Sequence, residues 1–378
     1  QAVLALFSAA AEYELVQCPE SPQMTSPVPI GKKYNANFQQ CMLRVKDPSV
    51  SVPFYEQHFG MKLVHKYDFP QFKFSLYFLE RPREGQALPG SVPSAESEKY
   101  LWTMQGTTLE LTHNHGTESD PDFKGYWSGN QGKDLPESSP LYLKDGPVRG
   151  FGHVAFNVDD VYATSEALEK AGVKFQKRPD EGRMKGLAFA LDPDGYWIEI
   201  VQRQAGLFQE PCNLSQTMMR VKDGEKTVRF YRDIMGMALV REMTIPNDFT
   251  NYFLACLGDE ERSALPQDVA SPEAKDAVKR LWQPVLELTH NHGTEKDEAF
   301  QVHTGNSEPQ GFGHIGFIVD DLEAMCMELE DAGVPFFKKP QEGKMRGLAF
   351  VLDPSGYRVE LIQRGMTIPE EMLQPAAS

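Results

Sequence analysis

Positive charge, cysteine and long apolar runs are all scarce in this chain of 378 residues. Lysine and arginine number 38 against 54 acidic residues, for a net charge of −16. Phosphate binding needs a basic face, so nucleic acid is excluded as a partner. No apolar run approaches the ~20 residues of a membrane-spanning helix, so no membrane partner is expected. The cysteines (Cys18, Cys41, Cys212, Cys256, Cys326) are odd in number and form no CxxC pair. They read as reduced thiols in a cytosol-like compartment. The stretch LALFSAAAEYELV near the start carries Glu12 and Glu14, and a short amphipathic helix is expected there. The chain begins with Gln, which leaves organellar import open.

What is present is repetition. LRVKD near residue 43 returns as MRVKD near 219, and FYEQHFGMKLV returns as FYRDIMGMALV. GFGHVAFNVDD returns as GFGHIGFIVDD, and KGLAFALDPDGYWIEIVQR as RGLAFVLDPSGYRVELIQR. Duplicated domains are expected over 31–205 and 206–378, after an N-terminal extension over 1–30. Each half divides again. In the first, strand QCMLRV, a helix over SVPFYEQHFG capped by Asp47 or Ser49, and strands FKFSLYFLE and TTLELTHN form one unit. A second unit runs from GHVAFNV through a helix over VYATSEALEKAG to the strands FQKRP, GLAFALDP and YWIEIVQR. Gly172 reads as a helix C-cap, and DPDG and DPSG as turns. The chain is thus an α+β protein of four βαβββ-like units. Segments 81–100 and 258–280, rich in Pro, Ser and charge, are expected to be surface loops.

Four residue types recur inside the repeated motifs: Gln40, Glu110, His153 and Glu199, then Gln216, Glu287, His314 and Glu360. One imidazole and three oxygen donors suit a divalent metal with open positions. Taken singly, each has a plainer reading. A glutamate in LELT or WIEI usually faces solvent, and a histidine in GFGHVAF is usually a hydrogen-bonded core residue. A carboxylate in an apolar strand, however, is costly unless it is paired or metal-bound. Strand alternation sets Gln40 with Arg44, Glu110 with Asn114, His153 with Arg149 and Glu199 with Trp197. His113 and His115 fall opposite Glu110 and read as structural, as do His290 and His292.

At these residues the chain resembles glyoxalase I of the eukaryotic type in its tandem form, within the vicinal-oxygen-chelate superfamily. The motifs QCMLRVKD, LELTHNHGTE, RGFGHVAF and GRMKGLAFALDPDGYWIEI carry the resemblance, which runs from about Phe38 to Arg364. It implies paired βαβββ units around a metal. It also implies isomerisation of the methylglyoxal–glutathione hemithioacetal to S-lactoylglutathione. In single-length members the site lies between subunits, so here the halves should pair as those subunits do. One site would hold Gln40, Glu110, His314 and Glu360, and the other Gln216, Glu287, His153 and Glu199. A monomer is implied, with glutathione as co-substrate. Gln at the first position resembles the zinc-using branch, while nickel, cobalt, manganese and magnesium stay open.

The same resemblance assigns roles. Glu360 and Glu199 would be the bases that move the proton, and the metal would carry the enediolate charge. Arg44 and Asn114 would clamp glutathione in one site, and Arg220 and Asn291 in the other. Lys177 with Met184, and Lys338 with Met345, would cover its glycyl end. The copies depart at two positions, since Arg149 is matched by Gln310 and Trp197 by Arg358. The first site should then lack one cation and one aromatic wall, with Arg358 offering charge from another strand. An extradiol-type dioxygenase would need two histidines and a carboxylate, and only one histidine per set is offered. A metal-free binding module of the same fold is the other rival.

Overall fold

The computed structural model describes residues 28–343 and 345–374; Cys18 and the expected N-terminal helix lie outside them. Strand β1 (Asn37–Val45) passes into a helix over Pro48–Phe59. Asp47 caps that helix, accepting from the Ser49 amide at 2.8 Å, and Pro48 occupies its first turn. Strands β2 (Lys62–Phe69), β3 (Phe74–Glu80) and β4 (Thr108–Asn114) complete the unit.

The order strand, Asp-capped helix, three strands recurs three times, with Asp160, Asp223 and Asp321 as the caps. The second unit holds β5 (Phe151–Val158), β6 (Phe175–Lys177), β7 (Leu187–Leu191) and β8 (Trp197–Gln202). The third holds β9 (Cys212–Val221), β10 (Ala238–Ile245), β11 (Phe249–Ala255) and β12 (Val285–Asn291). The fourth holds β13 (Phe312–Val319), β14 (Phe336–Lys338), β15 (Leu348–Leu352) and β16 (Arg358–Gln363).

Two eight-stranded sheets result, and each takes strands from both halves of the sequence. One runs β14-β15-β16-β13-β1-β4-β3-β2, joined at an antiparallel β1–β13 seam. The other runs β10-β11-β12-β9-β5-β8-β7-β6, joined at β5–β9. The helices pack between units: Phe59 stacks on Phe156 with 4.3 Å between ring centroids, and the Tyr55 hydroxyl donates to Asp192 at 2.9 Å. Directly paired residues of neighbouring strands share a face, so each sheet presents rows of side chains from four or more strands on one surface.

Segments 81–100 and 258–280 are not simply surface loops. They carry helices over Ala95–Leu101 and Pro272–Arg280. Ser94 and Ser271 cap them through the amides of Ser97 (3.0 Å) and Ala274 (3.2 Å). Leu101 in one and Ala274 and Val278 in the other are buried against the sheet. The i, i+4 spacing of that last pair is what anchors so polar a helix. Strand β2 is a further element that the motif reading did not separate.

Candidate metal centres

Register brings the recurring residues together. In the first sheet Gln40 on β1 pairs with Gly316 on β13, which pairs with Glu360 on β16. Glu110 stands beside Met42 on the adjoining β4. Gly316 has no side chain at this crowded point, where a Cβ would lie 2.6 Å from Gln40 Cγ. The second sheet repeats the row as Gln216, Ala155 and Glu199.

The donors converge tightly. Gln40 Nε2 lies 2.5 Å from Glu110 Oε2, 2.7 Å from Glu360 Oε2 and 3.1 Å from His314 Nε2. Gln216 Nε2 lies 2.7 Å from Glu287 Oε2, 2.6 Å from Glu199 Oε2 and 3.4 Å from His153 Nε2. Ligand atoms of the sets Glu110–His314–Glu360 and His153–Glu199–Glu287 all fall within 4.8 Å of one another, and every member is buried. Each cluster therefore combines residues of both halves.

The donor chemistry fits a divalent cation. Gln40 Oε1 is buried without a hydrogen-bond partner. Exchanging the two ends of the amide would turn that oxygen toward the carboxylates, where a cation could take it. The electrostatics agree. Burial opposes charge on His314, but Glu360 and Glu110 outweigh it and raise the imidazole to about 9. His153 is likewise opposed by burial and raised to about 9 by Glu199 and Glu287. Burial also raises the Glu360 and Glu287 carboxyls above their usual range. Without a cation, then, each imidazole holds its proton, which a bound cation would displace.

A guanidinium sits beside each cluster. Arg44 Nη1 donates to the carbonyls of Gly311 (3.0 Å) and Phe312 (3.1 Å), and Nη2 to Asn306 Oδ1 (3.0 Å). Arg220 Nη1 donates to the Phe151 carbonyl (3.2 Å) and Nη2 to Asn130 Oδ1 (2.9 Å). The anchoring residues Asn306 and Asn130 were not found by motif reading, because they stand in loops where alternation gives no direction. Asn114 donates to Tyr126 Oη at 2.8 Å, and its buried Oδ1 has no partner. Asn291, half-buried, stands in the matching row position opposite Phe249.

The flanking residues differ between the two centres. Arg149 lies before β5 begins, so strand alternation does not set it beside His153; Asp134 holds its Nε at 2.9 Å. Met345 is buried and lines the first centre, whereas Met184 is 49% exposed. Lys338 donates to the carbonyls of Leu348 (2.8 Å) and Met345 (3.0 Å), and Lys177 to Leu187 (2.6 Å), so both ammoniums brace their own loops. Nor does the first centre lack a second cation. Arg358 stacks on the Phe337 ring at 3.7 Å, and its guanidinium is lowered to about 10 by burial and by Arg44. Arg220 is lowered to about 10 by burial and by Arg149, so an arginine pair stands at each centre. Trp197 packs on Phe189, which packs on His153.

His113 and His290 point away from the clusters and pair with Glu118 (2.7 Å) and Glu295 (2.9 Å). His115 and His292 meet Ser75 and Thr250 at 2.7 and 2.9 Å. All four tie the ends of β4 and β12 to their neighbours.

Residues 37–200 and 213–361 match the Glyoxalase/Bleomycin resistance protein/Dioxygenase superfamily. The chain is 40% identical over 334 residues to "Glyoxalase I" of Saccharomyces cerevisiae, covering 86% of this chain and 91% of that one. It is 38% identical over 332 residues to "Lactoylglutathione lyase" of Schizosaccharomyces pombe, covering 85% and 95%. The crystal structure of glyoxalase I from Zea mays superposes with a TM-score of 0.60 at 25% identity, covering 88% of this chain and 94% of that one.

Proposed function

This chain belongs to the Glyoxalase/Bleomycin resistance protein/Dioxygenase superfamily in its tandem glyoxalase I form and is a lactoylglutathione lyase; we propose that it works through two composite metal centres. The substrate is the hemithioacetal of methylglyoxal and glutathione, and the product is S-lactoylglutathione. One centre is Gln40, Glu110, His314 and Glu360; the other is Gln216, Glu287, His153 and Glu199. The observation that carries this reading is the convergence of each quartet from opposite halves of the chain.

Each quartet would hold a divalent metal, zinc first among the candidates for this donor set, which would supply positive charge beside the reacting oxygens. The chain does the rest. Glu360 or Glu199 takes the proton from the carbon bearing sulfur, and the electron pair moves toward the neighbouring carbonyl. The same carboxyl then returns the proton to that neighbouring carbon, while the hydroxyl proton passes from the oxygen on the sulfur-bearing carbon to the oxygen on its neighbour, leaving a thioester carbonyl and a new hydroxyl with no net change in atoms or electrons. Burial suits Glu360 to this work, because it brings the carboxyl closer to the operating pH. Glu110 and Glu287 stay as ligands. Arg44 with Asn114, and Arg220 with Asn291, hold the glutathione carboxylate, Arg358 and Arg149 reinforcing them. Trp197 walls the second centre.

Because each sheet is completed within one chain, a monomer suffices for both centres. Cys41, Cys212, Cys256 and Cys326 are free thiols, which suits a cytosolic setting. The test is metal analysis together with hemithioacetal turnover. About two divalent ions per chain and metal-dependent formation of S-lactoylglutathione are expected. A metal-replete protein without that turnover would overturn the reading.

A further inference from the structure

The two quartets match, but the walls beside them do not. Row by row, the first sheet presents His65–Phe78–Glu110 and then Tyr67–Leu76–Thr112. The second presents Arg241–Phe253–Glu287 and then Met243–Asn251–Thr289. Trp102 and Lys279 stand at the same distance beyond the helix caps Ser94 and Ser271.

In the first sheet these exchanges make an apolar wall. A cavity of about 530 Å³, counting its mouth, opens from the quartet between Tyr67, Leu76, Trp102, Met345, Leu348 and Ile362. The polar atoms of Trp102 and Tyr67 are satisfied within the protein. Trp102 Nε1 donates to Tyr67 Oη at 2.8 Å, and Tyr67 Oη donates to Glu98 at 2.7 Å. His65 Nδ1 is bound to Ser97 Oγ at 2.6 Å. Apart from the quartet itself and Thr112, the space is lined by aromatic, aliphatic and methionine side chains.

In the second sheet Leu76 and His65 are matched by Asn251 and Arg241. Asn251 Nδ2 donates to Glu287 Oε1 at 2.5 Å, and Thr289 Oγ1 donates to Asn251 Oδ1 at 2.9 Å. Arg241 lies over the Phe253 ring at 5.2 Å, in the row of Glu287. A large apolar group here would strip water from a guanidinium and an amide without replacing it. A carboxylate would instead pair with the guanidinium.

We infer that the two centres divide substrates by the group the 2-oxoaldehyde carries. The Gln40 centre takes glutathione adducts with bulky apolar substituents, aryl or long alkyl, and the Gln216 centre takes those with hydrophilic, above all anionic, substituents. The inference rests on the lyase reading above, and Leu76 against Asn251, with His65 against Arg241, sets the specificity.

The test uses two single-centre enzymes, Glu199→Gln for the first centre and Glu360→Gln for the second, each metal-loaded. The ratio of kcat/KM for the phenylglyoxal adduct to that for the methylglyoxal adduct should be at least about tenfold higher in Glu199→Gln. Adding Asn251→Leu and Arg241→His to Glu360→Gln should raise its ratio toward the other. Equal ratios, with both proteins turning over methylglyoxal, overturn the division and leave the lyase reading intact. Absence of turnover in the unmutated protein overturns the lyase reading, and calorimetry then decides the division. S-benzylglutathione should find one tight and one weaker site in the unmutated protein, the tight one lost in Leu76→Asn. S-carboxymethylglutathione should lose its tight site in Arg241→His. If Leu76→Asn does not fold, Asn251→Leu must convert the weaker benzyl site into a tight one. Identical affinities at both sites for both conjugates sink the proposal.

Discussion

Phe151 and Phe312 stack nearly parallel, with 4.9 Å between ring centroids and 8° between planes. They open β5 and β13, the strands that carry His153 and His314. The Phe151 carbonyl accepts from Arg220 and the Phe312 carbonyl from Arg44. The two strand starts thus meet at the centre of the chain, and each supports an arginine from the opposite half. Half-to-half pairing at this point is what makes both centres composite.

Composite centres give a genetic signature. Glu110→Gln with Glu360→Gln disables one centre, so the double variant should lose no more than the worse of the two singles. Glu110→Gln with Glu199→Gln disables both, and activity should fall roughly 100-fold or more, the scale of a lost general base or ligand. Steady-state turnover of the methylglyoxal adduct reads both. The crossed arrangement fails if Glu110→Gln/Glu199→Gln behaves as a single-centre loss.

How far the sequence disclosed this differs by level. The Asp-capped helices, the strand motifs and the two quartets were legible because repetition marks them and because alternation places Gln40 and Glu360 in known directions. The crossing of halves was not in the pattern of residues; the resemblance implied it. Arg149 shows the limit of alternation, which stops where the strand stops. The helices over Ala95–Leu101 and Pro272–Arg280 were hidden by their Pro, Ser and charge, residues that serve equally as loop formers and as helix starts. The wall difference was the least visible, since Leu76 and Asn251 reach their centres only through the register of β3 and β11.

Metal removal should separate chemistry from folding. A hydrophobic cluster spans both sheets, so the fold does not depend on a cation as a zinc finger does. Chelation should abolish isomerisation while far-UV circular dichroism stays unchanged, and added divalent ion should restore turnover. Collapse of the dichroism signal on chelation would show that the metal holds the fold.

A pH effect on stability is expected at Asp192. Burial, with Asp194 adding, pushes its carboxyl from 3.8 up to about 7. A raised carboxyl binds its proton more tightly when folded, so it favours folding below 3.8 and this contribution is lost as pH rises through about 7. Asn in its place keeps an oxygen for the Asp194 and Tyr196 amides and an amide to meet Tyr55. Between pH 4 and pH 8 the Tm of Asp192→Asn should therefore gain on the parent by roughly 2 °C or more. A constant difference in Tm across that range would rule out the linkage.

The arginine pairs bear on how equal the centres are toward glutathione itself. Sequence alone suggested a weaker first centre, because Gln310 replaces the counterpart of Arg149. Arg358 instead sits beside Arg44, stacked on Phe337 with no carboxylate paired to it among the described residues. Arg149 shares its charge with Asp134. Removing a charge-assisted bond to a carboxylate costs about 1.5–3 kcal/mol, or roughly 10- to 150-fold in affinity. Arg44 remains in Arg358→Trp, so the low end applies. The first centre of that variant should bind S-methylglutathione about tenfold more weakly, with the second unchanged, by calorimetry in the metal-loaded protein. Gln310→Arg, by contrast, should add little, since the charge it would supply already arrives from β16. A tenfold gain from Gln310→Arg with no loss from Arg358→Trp would show that Arg358 does not serve the clamp.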